Sequence, residues 1–501
     1  MLHRRTRQLG GVLFAERQRS LQTLVVTGAP LRIVVRDGEC VFTARTPEAE
    51  PLLEALLAQL PSAQRAVAVL APPTLRVPVA QTARPSSAFD RDALREPSLF
   101  DPLRQLLASV EDRSPAPIPI ACYGAFAFDL VDRFEPLGAR QPNRFDDPDL
   151  ELYLGLDVVR YDAKAETVDV VTRGLPWESM ADVQARHAET LAHLHAPREV
   201  AGTPLAAAGE RRDVGSAQEF LAGVASLRES IAAGDIFQAV LSRAVEWQCA
   251  ADPLAVFERL SAREPAPYQF HLQLERGALF GASPETCVRV QQGSVEIRPI
   301  AGTTLRTGDA DTDERMALAM LFDPKERAEH VMLLDLARND VARVAQTATT
   351  EVVQQFAVEK YRRVQHLVSR VRGQLRPELD ALHAYRSAAN MGTLSGAPKA
   401  RATELVRALE SSGRGFYGGA VGVLFQNGDF DSCIAIRSLR ACGGIYRAQA
   451  GAGVVWHSDP ERELEETERK LRAISDLMSS LPEATSMVPT FLDGYAAEVA
   501  L

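Results

Sequence analysis

Alternating apolar and polar positions predict β-strands through the first 185 residues. Residues 31–35 and 41–43 alternate on either side of an Asp-Gly pair, which is typical of a β-hairpin. Residues 151–173 contain two more strand candidates, whereas residues 72–87 are rich in proline and have no period. This part of the chain is therefore predicted to be mixed α/β.

The pattern of apolar and polar positions changes after a segment in which apolar residues show no periodicity. Residues 196–214 are rich in Ala, Gly, Pro and charge, which predicts a linker. Ser216 and Glu219 then form a capping box at the start of a helix that Gly234 ends. From there to about residue 477 strands alternate with amphipathic helices.

These changes predict four segments. They are an N-terminal region at 1–195, a linker at 196–214, a catalytic region at 215–477 and a C-terminal tail at 478–501. The role of the tail cannot be read from its composition.

The amino-acid composition argues against several classes of protein and of binding partner. The 501 residues are 46% hydrophobic and carry a net charge of −10, which argues against nucleic acid or an anionic membrane as a partner. The six cysteines contain no Cys-x-x-Cys pair, and no apolar run approaches the roughly 20 residues that span a bilayer. We expect a cytoplasmic protein.

Two predicted helices begin in the same way. Each has an Asp cap, Pro at the first helical position and glutamates spaced i, i+3 on one face. Alone, each pattern is an ordinary helix start in which acidic residues complement the helix dipole. On two facing helices, four carboxylates would suit Mg²⁺ with waters and a substrate carboxylate. The four are Glu326, Glu329, Glu463 and Glu466.

A glycine-rich decapeptide, Asn-Met-Gly-Thr-Leu-Ser-Gly-Ala-Pro-Lys, occupies residues 390–399. Gly392, Thr393, Ser395 and Gly396 bring bare amide groups and two hydroxyls close together, an arrangement that suits a bound carboxylate or phosphate. A plain loop closed by Gly and Pro is the alternative for such a short motif.

Three further positions are candidates for binding or catalysis. Arg437 ends a predicted strand, residues 433–437, and could hold a carboxylate in a bidentate manner. Gly451 and Gly453 would let a ligand approach the backbone, although a bend in a strand also explains them. His366 lies in an apolar run, where a buried structural histidine is the commoner case. The residues alone indicate an anion-binding, Mg²⁺-dependent α/β enzyme.

Several phrases in order resemble the anthranilate synthase component I family of chorismate-utilising enzymes. They include FGASPE, RPIAGT, NMGTLSGAPKARA, CIAIRS and QAGAGVV, and the likeness is most specific between residues 216 and 477. The resemblance implies an α/β fold: a two-lobed sandwich of antiparallel sheets flanked by helices around one chorismate site.

The same resemblance implies roles for single residues. The four glutamates would hold Mg²⁺ against the ring carboxylate of chorismate. Glu285 would protonate the departing C4 hydroxyl, and His366 would remove the C2 proton with help from Thr393. The substrate site would be lined by Ala301, Thr393, Tyr417, Arg437, Gly451, Gly453 and Lys470.

Two positions separate the branches of this superfamily. Isochorismate and salicylate synthases have a water-activating Lys where this chain has Gln238, so ammonia is the expected nucleophile. Aminodeoxychorismate synthases often have an attacking Lys where this chain has Ala301, so ammonia is expected to attack C2 directly.

The chain departs from the family pattern at the tryptophan feedback site. Ala15, Gln269 and Val423 replace the polar and aromatic residues expected there, and Gln365 replaces the usual Met beside His366. These departures predict a specialised pathway, such as secondary-metabolite or antibiotic biosynthesis, without tryptophan inhibition.

The leading hypothesis is conversion of chorismate and ammonia to anthranilate through 2-amino-2-deoxyisochorismate. One alternative stops at that intermediate, and another is a non-catalytic scaffold that binds an aromatic acid. No Cys lies in a nucleophile elbow, so a separate glutamine amidotransferase is expected to deliver ammonia in a hetero- or homo-oligomer.

Overall fold

The computed structural model describes the chain in seven stretches. They are residues 12–16, 22–79, 92–110, 116–135, 137–195, 206–361 and 364–481. Among these residues no helix is both long and apolar enough to span a bilayer.

Twenty-four strands within these stretches form two antiparallel sheets. In chain order they are β1 Val12–Glu16, β2 Gln22–Gly28, β3 Leu31–Arg36, β4 Glu39–Ala44, β5 Val69–Ala71, β6 Thr74–Pro78, β7 Ala121–Phe126, β8 Leu150–Gly155, β9 Asp157–Asp162, β10 Thr167–Thr172, β11 Arg212–Val214, β12 Gln238–Gln248, β13 Tyr268–Gln273, β14 Ala278–Ser283, β15 Thr286–Gln291, β16 Ser294–Ile297, β17 Ile300–Leu305, β18 Glu351–Lys360, β19 Val364–Gln374, β20 Gly396–Ala397, β21 Ala420–Phe425, β22 Phe430–Ile434, β23 Ser438–Cys442 and β24 Ile445–Val454.

Eleven α-helices in the described residues flank the sheets, together with short 3-10 turns. In chain order they are α1 Glu50–Gln59, α2 Ser62–Val67, α3 Asp101–Ser109, α4 Met180–His195, α5 Ala217–Ala232, α6 Pro253–Arg263, α7 Ala310–Phe322, α8 Pro324–Val344, α9 Ala381–Ala388, α10 Lys399–Leu409 and α11 Pro460–Ser479.

Each sheet combines strands from both halves of the chain. The first runs β10-β9-β2-β1-β13-β14-β23-β24-β12-β11, with β20 also paired to β12. The second runs β17-β19-β16-β15-β22-β21-β7-β8-β3-β4-β6-β5, with β18 paired to β19. The predicted sandwich of antiparallel sheets flanked by helices is confirmed.

Buried apolar side chains lie on both faces of each sheet. Phe14 and Phe270 of the first sheet share a core with Tyr123 and Val423 of the second, so the two sheets pack face to face. The outer face of the second sheet packs against α1, α3, α8 and α9, and that of the first against α5, α6, α10 and α11. The layers are therefore helix, sheet, sheet and helix.

Elements with local signals form where the sequence predicts them. Strands β3 and β4 are joined by Asp37 and Gly38, both with positive φ, as a two-residue hairpin turn requires. The Ser216 hydroxyl accepts from the Glu219 amide in the predicted capping box, and Gly234 has φ +84° just beyond α5.

Several predicted boundaries differ in the structure. The proline-rich stretch contains a strand, β6. Residues 151–173 contain three strands, β8, β9 and β10, because the first of the two predicted strands is divided after Gly155, where the chain crosses from the second sheet to the first. Residues 196–205 of the predicted linker and 482–501 of the predicted tail lie outside the described residues. Arg212–Val214 pairs with the edge of β12 as β11.

Candidate active site

Two of the points at which the chain crosses between the sheets are neighbours. Strands β14 and β15 belong to different sheets, and Glu285 lies between them; β22 and β23 also belong to different sheets, with Arg437 between them. The crossings are hydrogen-bonded to each other, since the amide of Ala282 donates to Arg437 O and that of Ile434 to Glu285 O. Both candidate side chains therefore start from the gap between the sheets.

Arg437 does not end a strand as the sequence predicts. Strand β22 stops at Ile434, and Arg437 has φ +50° in the crossing itself. Burial lowers the pKa of its guanidinium, although the charges of Glu264, Tyr417 and Glu466 raise it. Its guanidinium donates to the backbone oxygen of Lys470 at 2.6 Å, which links the crossing to α11.

Glu285 meets the glycine-rich turn. Its carboxylate accepts a hydrogen bond from the Thr393 hydroxyl at 2.9 Å. Burial raises the pKa of Glu285 to about 7, while the Thr393 hydrogen bond and the Lys470 charge both oppose that rise. At neutral pH the carboxyl is therefore divided between protonated and ionised forms, as a proton donor requires.

Several polar groups of the glycine-rich turn form hydrogen bonds within the turn. The Ser395 hydroxyl donates to the carbonyls of Asn390 and Met391, and the amides of Leu394 and Ser395 donate to Met391 O. The expectation that the Ser395 hydroxyl faces an anion is wrong, because this side chain is fully buried and holds the turn closed. Its role is structural.

Lys399 anchors the end of the same turn. Its ammonium contacts the Asp340 carboxylate at 2.7 Å and reaches carbonyls at the end of α9 at 3.4 Å. Burial raises the pKa of Asp340, and the Lys399 charge opposes that rise. This pair fixes the turn, and with it Thr393, against α8.

Lys470 and Tyr417 lie on either side of Gly451. The Lys470 ammonium donates to Gly451 O at 2.7 Å and contacts Glu466 at 2.8 Å. Burial raises the pKa of Tyr417 to about 12, while the Arg414 charge and a hydrogen bond with the Gly451 backbone oppose the rise. Tyr417 therefore remains a neutral hydroxyl that can bond a carboxylate.

His366 lies on β19 beside β17. Its Nδ1 is 3.4 Å from Gly302 O, and the ring of Tyr361 meets it edge-on with centroids 5.4 Å apart. Burial lowers the pKa of His366, as does the Arg437 charge, whereas the Gly302 carbonyl and Glu359 raise it. The imidazole is therefore held largely neutral at pH 7, the form that can accept a proton.

Gln365 points away from His366. Successive side chains on a strand alternate between faces, and the Gln365 amide donates to Asp313 O in α7 at 2.8 Å. The departure from the family pattern at this position therefore lies against a helix, outside the candidate site.

The four glutamates extend from the first two turns of α8 and α11, each of which has the predicted Asp cap and Pro. Burial raises the pKa of Glu326, Glu329 and Glu463, and the charge of Glu466 raises all three further. The four carboxylates are thus mutually repelling neighbours. Among the described residues, no three His, Cys, Asp or Glu side chains converge at metal-binding distance.

Gly302 lies between His366 and the glutamate Glu326. It has φ +74°, and a Cβ at this position would lie 3.0 Å from the Glu326 carboxylate while its own carbonyl faces His366. Ala301 precedes it on β17, at a bulge opposite β19. The site therefore tolerates only a very small residue at position 302.

Gln238 begins β12 and is buried. A Cβ on Gly453 would lie 3.0 Å from its amide nitrogen, so the two positions face one another across β12 and β24. The contacts described above link the candidate residues into one network.

Sequence reasoning missed the buried pair Arg414 and Glu410. The guanidinium donates to Leu394 O at 2.6 Å and to Val240 O at 2.7 Å, and Glu410 accepts from the Ser242 amide. The pair thus ties the glycine-rich turn to β12. An Arg four residues after a Glu carries no signal that distinguishes it from a surface ion pair.

Comparisons with known proteins agree with this geometry. The family model described as chorismate binding enzyme matches residues 58–476. Anthranilate synthase component 1 of Vibrio cholerae is 39% identical over 91% of this chain and 88% of that protein. The pyocyanine-specific anthranilate synthase component 1 of Pseudomonas aeruginosa is 41% identical over 75% and 72%.

A solved structure shows the same likeness. Anthranilate synthase component I from Streptococcus pneumoniae superposes with a TM-score of 0.73 and 26% identity, covering 91% of this chain and 92% of that one. The resemblance inferred from short phrases is confirmed over nearly the whole length. The protein is an enzyme, and the chain belongs to the family of chorismate binding enzymes.

Proposed function

We propose that this enzyme adds ammonia to C2 of chorismate to give 2-amino-2-deoxyisochorismate and then eliminates pyruvate to give anthranilate, with Mg²⁺ as cofactor. The observation that carries the proposal is a buried acid and a buried base that both neighbour Arg437: Glu285 lies in the adjoining crossing, and the Arg437 charge acts on His366. Glu285 has a pKa of about 7 and a bonded partner in Thr393, and His366 is held largely neutral.

In the first step Glu285 acts as the acid. The C2–N bond forms, the two ring double bonds move from C1=C2 and C5=C6 to C1=C6 and C4=C5, and the C4–O bond breaks as Glu285 donates its proton, so that water leaves. The ammonia nitrogen gives up one proton in return. Gln238 and Ala301 supply neither a water-activating nor an attacking amine, which favours ammonia as the nucleophile.

In the second step His366 acts as the base. It accepts the C2 proton, the ring becomes aromatic, and the bond from C3 to the enolpyruvyl oxygen breaks to release pyruvate. Thr393, Tyr417 and Arg437 would orient the substrate by binding its carboxylates and hydroxyl.

The donor set fits a hard divalent cation. Burial and mutual repulsion raise the pKa of three of the four glutamates. Positive charge already lies against the cluster, since the Lys325 ammonium is 3.7 Å from Glu329 and the Lys470 ammonium is 2.8 Å from Glu466. Mg²⁺ held by Glu326, Glu329, Glu463 and Glu466 would supply the positive charge that binds the ring carboxylate.

The first experiment measures products. Enzyme, chorismate, ammonium and Mg²⁺ are incubated, and mass spectrometry and fluorescence follow the aminated intermediate and anthranilate. We expect EDTA to stop turnover and Glu466→Gln to lower kcat by about a thousandfold. Glu465→Gln is the matched control, because its exposed side chain lies one residue away on the same helix. Full turnover in EDTA would exclude the metal.

A second candidate function stops at 2-amino-2-deoxyisochorismate. The observation that favours it is the lowered pKa of His366, since burial and the Arg437 charge both weaken this imidazole as a base. In that case the wild-type product retains its enolpyruvyl mass.

Replacing His366 by Met separates the two candidates. Met keeps the bulk of imidazole and removes the proton acceptor, so amination should continue while anthranilate fluorescence disappears. His187→Met, at an outlying histidine on α4, serves as the control. Anthranilate formed at the wild-type rate by His366→Met would show that another group is the base.

The proposal also covers the source of the ammonia and the pathway in which the enzyme acts. Relatives are named as component 1 of anthranilate synthase, which supports a separate glutamine amidotransferase as the partner of this chain. The likeness to a pyocyanine-specific relative supports service in a specialised pathway.

A further inference from the structure

A buried arginine contacts several parts of the candidate site at once. Arg414 lies between α10 and β21, and its side chain is only 3% exposed. The guanidinium donates to Leu394 O at 2.6 Å, to Val240 O at 2.7 Å and to the Glu410 carboxylate at 2.7 and 2.9 Å. All three of its nitrogens are therefore bonded, and the planar fork sets the direction of each bond.

Two aromatic rings lie against the same guanidinium. Its Cζ is 4.4 Å from the centroid of the Phe128 ring and 5.8 Å from that of the Tyr417 ring. An aromatic ring attracts a cation more strongly where water is excluded. A movement of Arg414 would therefore change the surroundings of Tyr417 as well as those of the glycine-rich turn.

The carboxylate partner of Arg414 is itself fixed to the first sheet. Glu410 accepts hydrogen bonds from the amide of Ser242 in β12, at 2.9 Å, and from the Ser242 hydroxyl. The Gln449 side chain donates to that hydroxyl at 2.8 Å from β24. Arg414 is thus anchored on β12, and from there it holds the carbonyl of Leu394.

Leu394 is the residue after Thr393, whose hydroxyl donates to Glu285 at 2.9 Å. The amides of Leu394 and Ser395 are both bonded to Met391 O, so the Arg414 bond to Leu394 O completes the fixing of the peptides that follow Thr393. We propose that Arg414 is a positioning residue, which keeps the Thr393 hydroxyl against Glu285 through the carbonyl of Leu394. This inference rests on the proposed function.

Arg414→Lys tests the inference. Lysine keeps the positive charge beside Glu410, but its single ammonium cannot reproduce the fork that bonds the carboxylate and both carbonyls. Glu285 then loses the Thr393 hydrogen bond, which stabilises its ionised form. We expect the alkaline limb of the pH profile of kcat to move upward by up to about one pH unit, as in Thr393→Val.

Arg440→Lys is the matched control. Arg440 is also a buried arginine, and it binds the Asp147 carboxylate and two carbonyls of the first sheet, those of Ala278 and Ala441. We expect this variant to lose stability in urea denaturation while its alkaline limb stays at the wild-type pH. The control therefore separates general loosening of the fold from an effect on Glu285.

Combining the variants tests whether Arg414 acts through Thr393. In a Thr393→Val background the hydrogen bond is already absent, so adding Arg414→Lys should not move the limb further. Should Arg414→Lys fail to fold, the double variant Arg414→Met with Glu410→Gln removes the fork and leaves no buried charge without a partner. Its limb is measured in the same two backgrounds.

A limb that moves upward in the Arg414 variant, and moves no further with Thr393→Val, supports the inference if Arg440→Lys keeps the wild-type limb. A wild-type limb in the folded Arg414 variant overturns it. So does a shift that adds to that of Thr393→Val, or an equal shift in Arg440→Lys. Wild-type enzyme that forms no aminated product from ammonium would instead overturn the proposed function, and the inference with it.

Discussion

A single hydrogen bond adjusts the acid of the candidate site. Burial raises the pKa of Glu285 to about 7, and the Thr393 hydroxyl stabilises the ionised form by donating to it. Activity that needs the protonated acid is present below that pKa and is lost as pH rises through it. Thr393 therefore sets where the alkaline limb of the rate profile falls.

Thr393→Val removes the donor while keeping the shape of the side chain. Without the hydrogen bond the pKa of Glu285 rises further, so we expect the alkaline limb of kcat to move upward by about one pH unit. A pH–rate profile from pH 5 to about 9.5 measures it. Thr393→Ser retains a hydroxyl and should restore the wild-type limb; a limb that stays in place in Thr393→Val would assign it to another group.

The types of the site residues could be predicted from the sequence, whereas their positions in the fold could not. The spacing of Glu326 and Glu329 predicted a shared helix face, because that relation is local. The position of Arg437 depended on the chain leaving one sheet for the other, which no local pattern records. The partners of Gln365 likewise depend on which face of β19 meets α7.

At the scale of elements, a buried ion pair holds the glycine-rich turn. Lys399 begins α10, and Asp340 lies on α8, so the pair joins two helices and the turn between β20 and α9. Breaking such a pair leaves one buried charge without compensation, which costs far more than the pair itself contributes.

Lys399→Met should therefore lower the free energy of unfolding by about 3 kcal/mol at neutral pH. Losing the Lys399 charge raises the pKa of Asp340 further, so the loss shrinks as pH falls and Asp340 becomes protonated. Urea denaturation at pH 5 and at pH 8 measures both effects. The double variant Lys399→Met with Asp340→Asn should recover much of the loss. Equal stability of Lys399→Met and wild type would contradict this reading.

Element types were largely predictable because their signals are local. The Asp caps of α8 and α11, the Ser216 capping box and the Asp-Gly hairpin all depend on neighbours within four residues. The crossing after Gly155, between β8 and β9, and the strand β6 were missed. Pairing with distant strands decided both of them, overriding the local composition.

At the scale of the whole molecule, the positions assigned to tryptophan feedback fall in different cores. Ala15 packs on the side of α6, whereas Val423 packs between the sheets. Gln269 is fully buried, and its amide bonds Ser261 and the carbonyl of Glu264. Each of these side chains is packed or bonded within its own surroundings and leaves few groups for an amino acid ligand.

We therefore expect tryptophan not to inhibit this enzyme. Initial rates with chorismate and ammonium should be unchanged across a tryptophan titration to about 1 mM, well above the affinity of an ordinary effector site. Phenylalanine at equal concentration is the control for non-specific effects. Inhibition at micromolar tryptophan would show that a pocket exists elsewhere in the chain.

The interleaving of the sheets has a consequence for how the protein is made. Tyr123 of β7 pairs with Val423 of β21, 300 residues later in the chain. At roughly 5–20 residues per second, a ribosome needs about 15–60 s to supply that partner. Until then one edge of β7 in the nascent chain has no paired strand, and neither sheet is complete. Folding is therefore completed only near the end of translation, and the part of the chain made earlier keeps an unpaired strand edge until then.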